Sequence, residues 1–255
     1  MKPDIPRPPH KRFRTSGILP PVCAAVSLLL LGCASGDKRG FSTGDHWRVP
    51  ASGDFSAKIP PPPRQNSPAA LEGVREILDL QARATPRKIA SARWTYEFSV
   101  FSFSLALGPS FTAKNYPQTA KLFRRLNSLV QRVNTPLKDH FRAPHPFQVD
   151  KRVKRFVDAV PGYDYPSYHA ARCAVFQRVL SVLDPGQHTK FEAVSARVEE
   201  DRVFAGEHFR YSIEAGRRLG EQIFQELQND QRFRRDVLKL KGAEWTPAPD
   251  SRNSF

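Results

Sequence analysis

The chain has 255 residues, room for one good-sized domain or two small ones. Hydrophobic residues at 40% and charged residues at 25% exclude a wholly disordered chain. The 40 Lys and Arg against 25 Asp and Glu give a formal charge of +15, which favours anionic partners, and the 3 cysteines without a Cys-x-x-Cys exclude a disulfide framework and a zinc ribbon.

Residues 2–14 carry Lys2, Arg7, Lys11, Arg12 and Arg14 against Asp4 alone, and an apolar stretch follows from Ile18 to Leu31. That stretch has the length of a signal-peptide core and is short and proline-broken for a bilayer span. It ends in Leu30-Leu31-Gly32-Cys33, which resembles the lipobox of bacterial lipoproteins. The resemblance implies cleavage before Cys33, lipidation of Cys33 and a lipid-anchored place on the periplasmic side of the bacterial envelope. Ala34, rather than Asp, at the next position points to the outer membrane. Cys173 would then be single, and its apolar helical surroundings predict a buried, inert thiol. Residues 34–67 hold the run Pro60–Pro63 and no hydrophobic period, the pattern of a disordered tether. The expected organisation is a signal peptide over 1–32, a lipidated Cys and tether over 33–67, a helical domain over 68–240 and a flexible tail over 241–255.

Ser67-Pro68 reads as a helix start, a capping hydroxyl followed by Pro at the first helical position. Leu71, Val74, Leu78 and Leu80 supply its apolar face. Thr85-Pro86 repeats the signal, and the helix after it is expected to run through Ile89, Trp94, Phe98 and beyond. Gly108-Pro109 breaks the chain, and Pro117 opens a helix with Leu122, Leu126, Leu129 and Val130. Residues 170–183 read as a helix rich in Val, Leu and Phe, and Asp184-Pro185-Gly186 as a turn. Residues 189–206 and 212–228 read as two further amphipathic helices. With no alternating strand pattern, the fold class is all-α, a helical bundle.

Three clusters stand out in this bundle. Lys138 is followed by His145-Pro146; Pro166-Ser167 by Tyr168-His169; Arg202 by His208 and Ser212. Taken singly they are ordinary: a solvated Lys, a helix start, a structural His. Their order and spacing resemble the three-part signature of the phosphatidic acid phosphatase type 2 / haloperoxidase superfamily, K-x6-R-P, P-S-G-H and S-R-x5-H-x3-D. The flanks Ala106-Leu-Gly-Pro-Ser-Phe-Thr, Tyr116-Pro-Gln-Thr-Ala-Lys-Leu-Phe and Ala215-Gly-Arg-Arg-Leu-Gly220 are similar to bacterial class A non-specific acid phosphatases. The resemblance covers about residues 70–228.

The resemblance implies a helical bundle of that superfamily and a phosphatase that hydrolyses phosphomonoesters, lipid phosphates among them. It implies His208 as the nucleophile that forms a phosphohistidine and His169 as the general acid. Lys138, His145, Ser167 and Arg202 would bind phosphate, and Ser212 would orient the nucleophile. It implies no metal and no cofactor. Four positions depart from the pattern: His145 for Arg, Tyr168 for Gly, Asp201 for Ser and Ser212 for the Asp that orients the nucleophile. A His145 titrating near 6.5 would be cationic in acid, which predicts an acid optimum. Asp201, if turned inward, would repel phosphate. Arg142 is a candidate to replace the lost Arg, and Glu214 or Glu207 to orient an imidazole. The departures motivate the alternative, a weakly active or inactive phosphate- or anion-binding lipoprotein of the same fold. A vanadate haloperoxidase would use a related cradle, but the flanks favour the small phosphatases. Expected partners are a phosphorylated small molecule or lipid phosphate and a membrane reached through the anchor. Nucleic acid is not expected, and a homo-oligomer is left open.

Overall fold

The computed structural model describes residues 47–50, 52–158 and 162–246; Cys33, Cys23 and the apolar stretch lie outside the described residues. The described chain forms helices α1 (Ser52–Ser56), α2 (Pro68–Ala82), α3 (Pro86–Tyr96), α4 (Ser104–Leu107) and α5 (Pro117–Phe141). They continue as α6 (Pro146–Val149), α7 (Tyr168–Leu183), α8 (His188–Phe204), α9 (Arg210–Asn229) and α10 (Gln231–Leu240). No strand occurs among the described residues, so the fold is all-α, as the sequence predicts.

The two Pro-led starts form as their residues dictate. Ser67 Oγ accepts the Ala70 amide at 3.3 Å at the head of α2, and Thr85 Oγ1 accepts the Lys88 amide at 3.2 Å at the head of α3. α3 stops at Tyr96 instead of running past Phe98. Ser99 Oγ takes the Phe101 amide at 3.2 Å and Ser102 Oγ takes the Ser99 amide at 3.1 Å, which starts a new 3-10 turn, Val100–Phe103.

α7 is the central helix. Ala170, Ala171, Cys173, Val175, Phe176, Val179, Leu180 and Leu183 are all buried, which is why its sequence is apolar nearly all round. α9 lies against it through Gly216 and Gly220. A Cβ at Gly216 would run into the Ser167 carbonyl oxygen and stand 3.0 Å from Ala170 Cβ. These glycines set the close approach that joins the second and third clusters of the sequence.

Two segments expected outside the domain pack on it. Trp47, Phe55 and Ile59 enter the main core, and the Tyr165 hydroxyl donates to the Pro60 carbonyl. The part of the expected tether from residue 47 onward is thus ordered by buried aromatic surface. At the other end, the Glu244 carboxylate accepts the amides of Gln118 (2.6 Å) and Thr119 (2.9 Å). Tyr116 provides no side-chain cap for α5, so a carboxylate distant in sequence satisfies its free amides. Trp245 follows by donating to Thr119 Oγ1 at 3.0 Å, so residues 241–246 belong to the domain rather than to a loose tail.

Candidate active site

α5, the loop before α7, the head of α7 and the turn after α8 meet around a cavity of about 320 Å³. Lys138, His145, His169 and His208, drawn from all three sequence clusters, line it. Tyr96, Tyr163, Tyr168 and Glu207 also form its wall.

His208 is set by the end of α8. Gly206 turns the chain at φ 71°, and the amides of Glu207 and His208 both donate to the Arg202 carbonyl, at 3.1 and 3.3 Å. A Cβ at Gly206 would come within 2.5 Å of the Lys154 carbonyl oxygen, so glycine is required there twice over. The turn delivers His208 to Asp164, whose Oδ1 accepts from His208 Nδ1 at 2.6 Å. Asp164 comes from the loop before α7, not from the position one helical turn past His208 where the family Asp would stand.

Ser212 occupies that family position, and its Oγ donates to the Asp164 backbone carbonyl at 3.0 Å. It therefore holds the loop that carries the carboxylate and does not touch the imidazole; the expectation of a direct contact is corrected. Glu214 is exposed on α9, and Glu207 meets the histidines only through its carbonyl, which accepts from His145 Nδ1 at 2.7 Å. Neither glutamate side chain orients His208. Asp164 was invisible as a partner because pairing it with His208 requires α7 and α9 to pack. Its only sequence signal is a lone carboxylate among aromatics, Tyr163-Asp164-Tyr165, directly before Pro166-Ser167.

The side chains of the site are largely buried, and burial dominates their titration. Burial lowers the pKa of His208 well below the ordinary value, helped by the charge of Lys138. Burial raises Asp164, while the Lys138 ammonium pulls it back. With one proton shared by this pair, Nδ1–H donates to the carboxylate and Nε2 keeps a free lone pair. His145 is pushed down to about 4 by burial, so it is neutral in mild acid; the expectation that it supplies a cation near pH 6 is corrected. His169 is also lowered, first by burial and then by Arg172 and Arg202. Its Nε2–H donates to the Tyr96 carbonyl at 3.1 Å.

Lys138 donates to the carbonyls of Tyr163 and, at 2.9 Å, Asp164, and burial brings its pKa down to about 8. An ammonium has three donors, so one is left for a ligand. Among the described residues it is the one cation lining the cavity. Arg202 does not line it. Its guanidinium donates to the Ala92 carbonyl and to Thr95 Oγ1 (3.0 Å) and lies 5.2 Å over the Tyr96 ring, with Nε and Nη1 unpartnered. Tyr96, by contrast, does line the cavity, so the cavity stops at this ring. Ser167 is fully buried as the cap of α7, its Oγ accepting the Ala170 amide at 3.4 Å. The structure thus brings Lys138, His145, His169 and His208 together and leaves Arg202 and Ser167 outside the cavity.

The remaining departures also find their places. Asp201 does not line the cavity; it accepts from Ser91 Oγ (2.7 Å) and Thr95 Oγ1 (3.0 Å) and forms an ion pair with Lys88 Nζ (2.7 Å). Tyr168 forms cavity wall, its hydroxyl donating to Asn127 Oδ1 at 2.9 Å. Arg142 is exposed and donates to the Asp139 carbonyl at 3.0 Å, so it does not replace the lost Arg. Cys173 is buried, and burial raises its thiol well above the ordinary value, the inert state expected.

His145, Asp164 and His208 also place one donor atom each within 4.8 Å of one another, a set that could hold a metal ion. The 2.6 Å separation of His208 Nδ1 and Asp164 Oδ1 is a hydrogen bond, and the Lys138 ammonium beside them opposes a second cation. The arrangement reads as a proton-holding network.

No family model matches the chain, and no curated protein does. Solved structures do match in fold. One is the crystal structure of a transmembrane PAP2-type phosphatidylglycerolphosphate phosphatase from Bacillus subtilis, with 16% identity, 70% of this chain and 90% of that chain covered, and a TM-score of 0.48. In the present chain no helix among the described residues is long and apolar enough to cross a membrane.

Proposed function

We propose that the protein is a metal-independent phosphatase that hydrolyses phosphomonoesters through a phosphohistidine on His208, held at the cell envelope by a lipidated Cys33. The observation that carries this reading is the 2.6 Å bond from His208 Nδ1 to Asp164, which supplies the carboxylate that Ser212 lacks. It leaves Nε2 as the nucleophile and places a negative charge behind the ring as positive charge develops on it.

In the first step Nε2 bonds to phosphorus and the bond to the leaving oxygen breaks. His169, whose ring centre is 6.4 Å from that of His208, gives that oxygen a proton. Its Nε2–H is held by Tyr96, so it needs a second proton on Nδ1. A phosphate anion in the cavity stabilises that charged form against the cost of burial. Water then attacks the phosphohistidine, gives its proton to His169 and releases phosphate. Lys138 holds the phosphoryl oxygens. The 320 Å³ cavity admits a phosphoryl group with a small leaving group; lipid phosphates are the wider substrate class that the sequence resemblance suggests.

A second reading, a weakly turning-over anion-binding lipoprotein, has its own support: Arg202 is outside the cavity and Glu207 is inside it. Phosphate release from an aryl phosphate, with His208→Ala alongside, separates the two. Turnover lost in the variant, with an acid-labile phosphoryl group trapped on the unmutated protein, supports the phosphatase. No turnover by either, in folded protein that binds phosphate, supports the second reading.

A further inference from the structure

α5 carries a second, cationic face, a quarter-turn from the residues that line the candidate active site. Lys121, Arg124, Arg125 and Arg132, with Trp47 and Ser128, line a groove of about 400 Å³ that no carboxylate lines. Asp236 is not part of the lining; it accepts from Trp47 Nε1 at 2.9 Å and from Arg125 Nη1 at 3.0 Å, while the Arg125 guanidinium lies 4.2 Å over the Trp47 ring. Arg125 is thereby committed to the groove's structure. Lys121, Arg124 and Arg132 are exposed and have no ion pair among the described residues. Three arginines elsewhere show the matched case: Arg178 with Glu221, Arg210 with Glu76 and Glu200, Arg217 with Glu199.

The unmatched cations share one helix face and extend over about 16 Å at 1.5 Å per residue. Such an open strip suits an array of singly charged phosphate headgroups better than one small anion. The covalent chain adds a reason to prefer a membrane. Trp47, in the groove, follows Cys33, the lipidation site proposed above, by 14 residues. We propose that the groove is a docking surface for anionic phospholipid headgroups, which turns this face of the domain toward the bilayer. The proposal rests on the membrane attachment proposed above, and the test separates the two.

The test uses the full chain with Cys33→Ser, so that no acyl chain contributes, partitioned onto vesicles of phosphatidylcholine alone or mixed equally with phosphatidylglycerol. The groove variant is Lys121→Ala/Arg124→Ala/Arg132→Ala; a control, Arg87→Ala/Lys151→Ala/Lys190→Ala, removes the same charge from exposed sites elsewhere. Near an anionic surface each cation is worth about fivefold in partitioning, so the groove variant should bind the mixed vesicles about a hundredfold more weakly. The control should lose far less, binding to pure phosphatidylcholine should be equal in all three proteins, and turnover of a soluble aryl phosphate should be unchanged. Equal loss in both triple variants would reduce the effect to net charge and overturn the proposal, as would no loss in either. Absence of any preference for anionic vesicles would also overturn it; the membrane attachment is read separately on the unmutated chain expressed in bacteria, where failure to incorporate a labelled fatty acid at Cys33 would mark failure of that reading and not of the groove. Binding of a single-stranded oligonucleotide that the groove variant loses, without anionic-vesicle preference, would overturn it in favour of nucleic acid.

Discussion

Asp164→Asn tests the core of the proposed site with an almost isosteric change. The wild-type carboxylate accepts from His208 Nδ1 at 2.6 Å, is fully buried, and leaves Oδ2 without a partner. An asparagine amide can turn its NH₂ toward Nδ1, which moves the imidazole proton to Nε2 and removes the nucleophilic lone pair. It also removes the negative charge that balances the ring when phosphorus bonds to it. In a related His–carboxylate pair the same change costs about 10⁴ in kcat, equivalent to about 5.5 kcal/mol of transition-state stabilisation. A loss of about 10³- to 10⁴-fold in kcat is therefore expected, with KM little changed because Lys138 remains. The acid limb of the rate profile should change too. Burial raises the Asp164 pKa, so the His208–Asp164 pair takes up its inactivating proton above the ordinary carboxylate range, and the variant should lose that limb. The assay is phosphate release from an aryl phosphate between pH 4 and 8, with thermal melting as the check on folding. A folded Asp164→Asn protein with kcat near that of the parent would refute the assignment of the carboxylate.

Ser212→Ala should behave differently, since its hydroxyl donates to the Asp164 backbone carbonyl and does not meet the imidazole: melting would report about 1 kcal/mol of lost stability, with kcat falling less than about tenfold. His145 has a folded pKa of about 4 against about 6.5 unfolded, so the unfolded chain binds the extra proton between those values and stability falls as pH drops through that window. That shift is worth about 3 kcal/mol at most, and His145→Gln should make the fall of the melting temperature between pH 6.5 and 4 shallower, leaving the part due to His169 and His208. Lys138, at about 8, loses its charge in mild alkali, so KM for phosphate esters should rise above that pH; Lys138→Arg, if it folds, should abolish the rise. Gly216→Ala would drive a methyl into the Ser167 carbonyl and should cost about 1–3 kcal/mol by melting, since α7 and α9 cannot separate without moving His169 and His208.

Much of this molecule is local and was legible as such. The hydroxyl-Pro starts at Ser67 and Thr85 specify helices because cap and first residue are adjacent in the chain, and the apolar run of α7 specifies a central helix because it has no polar face to expose. The three clusters could be read from spacing, and four of the site residues they supply, Lys138, His145, His169 and His208, do meet in one cavity. The end of α3 was misread through local Ser99–Ser102 bonds, and the other misreadings concern partners distant in sequence. Trp47, Phe55 and Ile59 sit in stretches without a period, yet their aromatic and aliphatic surface is buried by the core. Glu244 looks like part of a loose tail until it caps α5. Arg202 has the right spacing for phosphate, but spacing does not reveal that its guanidinium turns to Ala92 and Thr95 behind Tyr96. The sequence by itself determined the helices, their starts and the histidines that meet. Only the tertiary structure decided which carboxylate serves His208, because the close approach of α7 and α9 through Gly216 and Gly220 brings the Asp164 loop to the turn at Gly206. It also decided the protonation of the site, because a histidine's charge depends on burial, and burial belongs to the packed molecule rather than to the spacing of its residues.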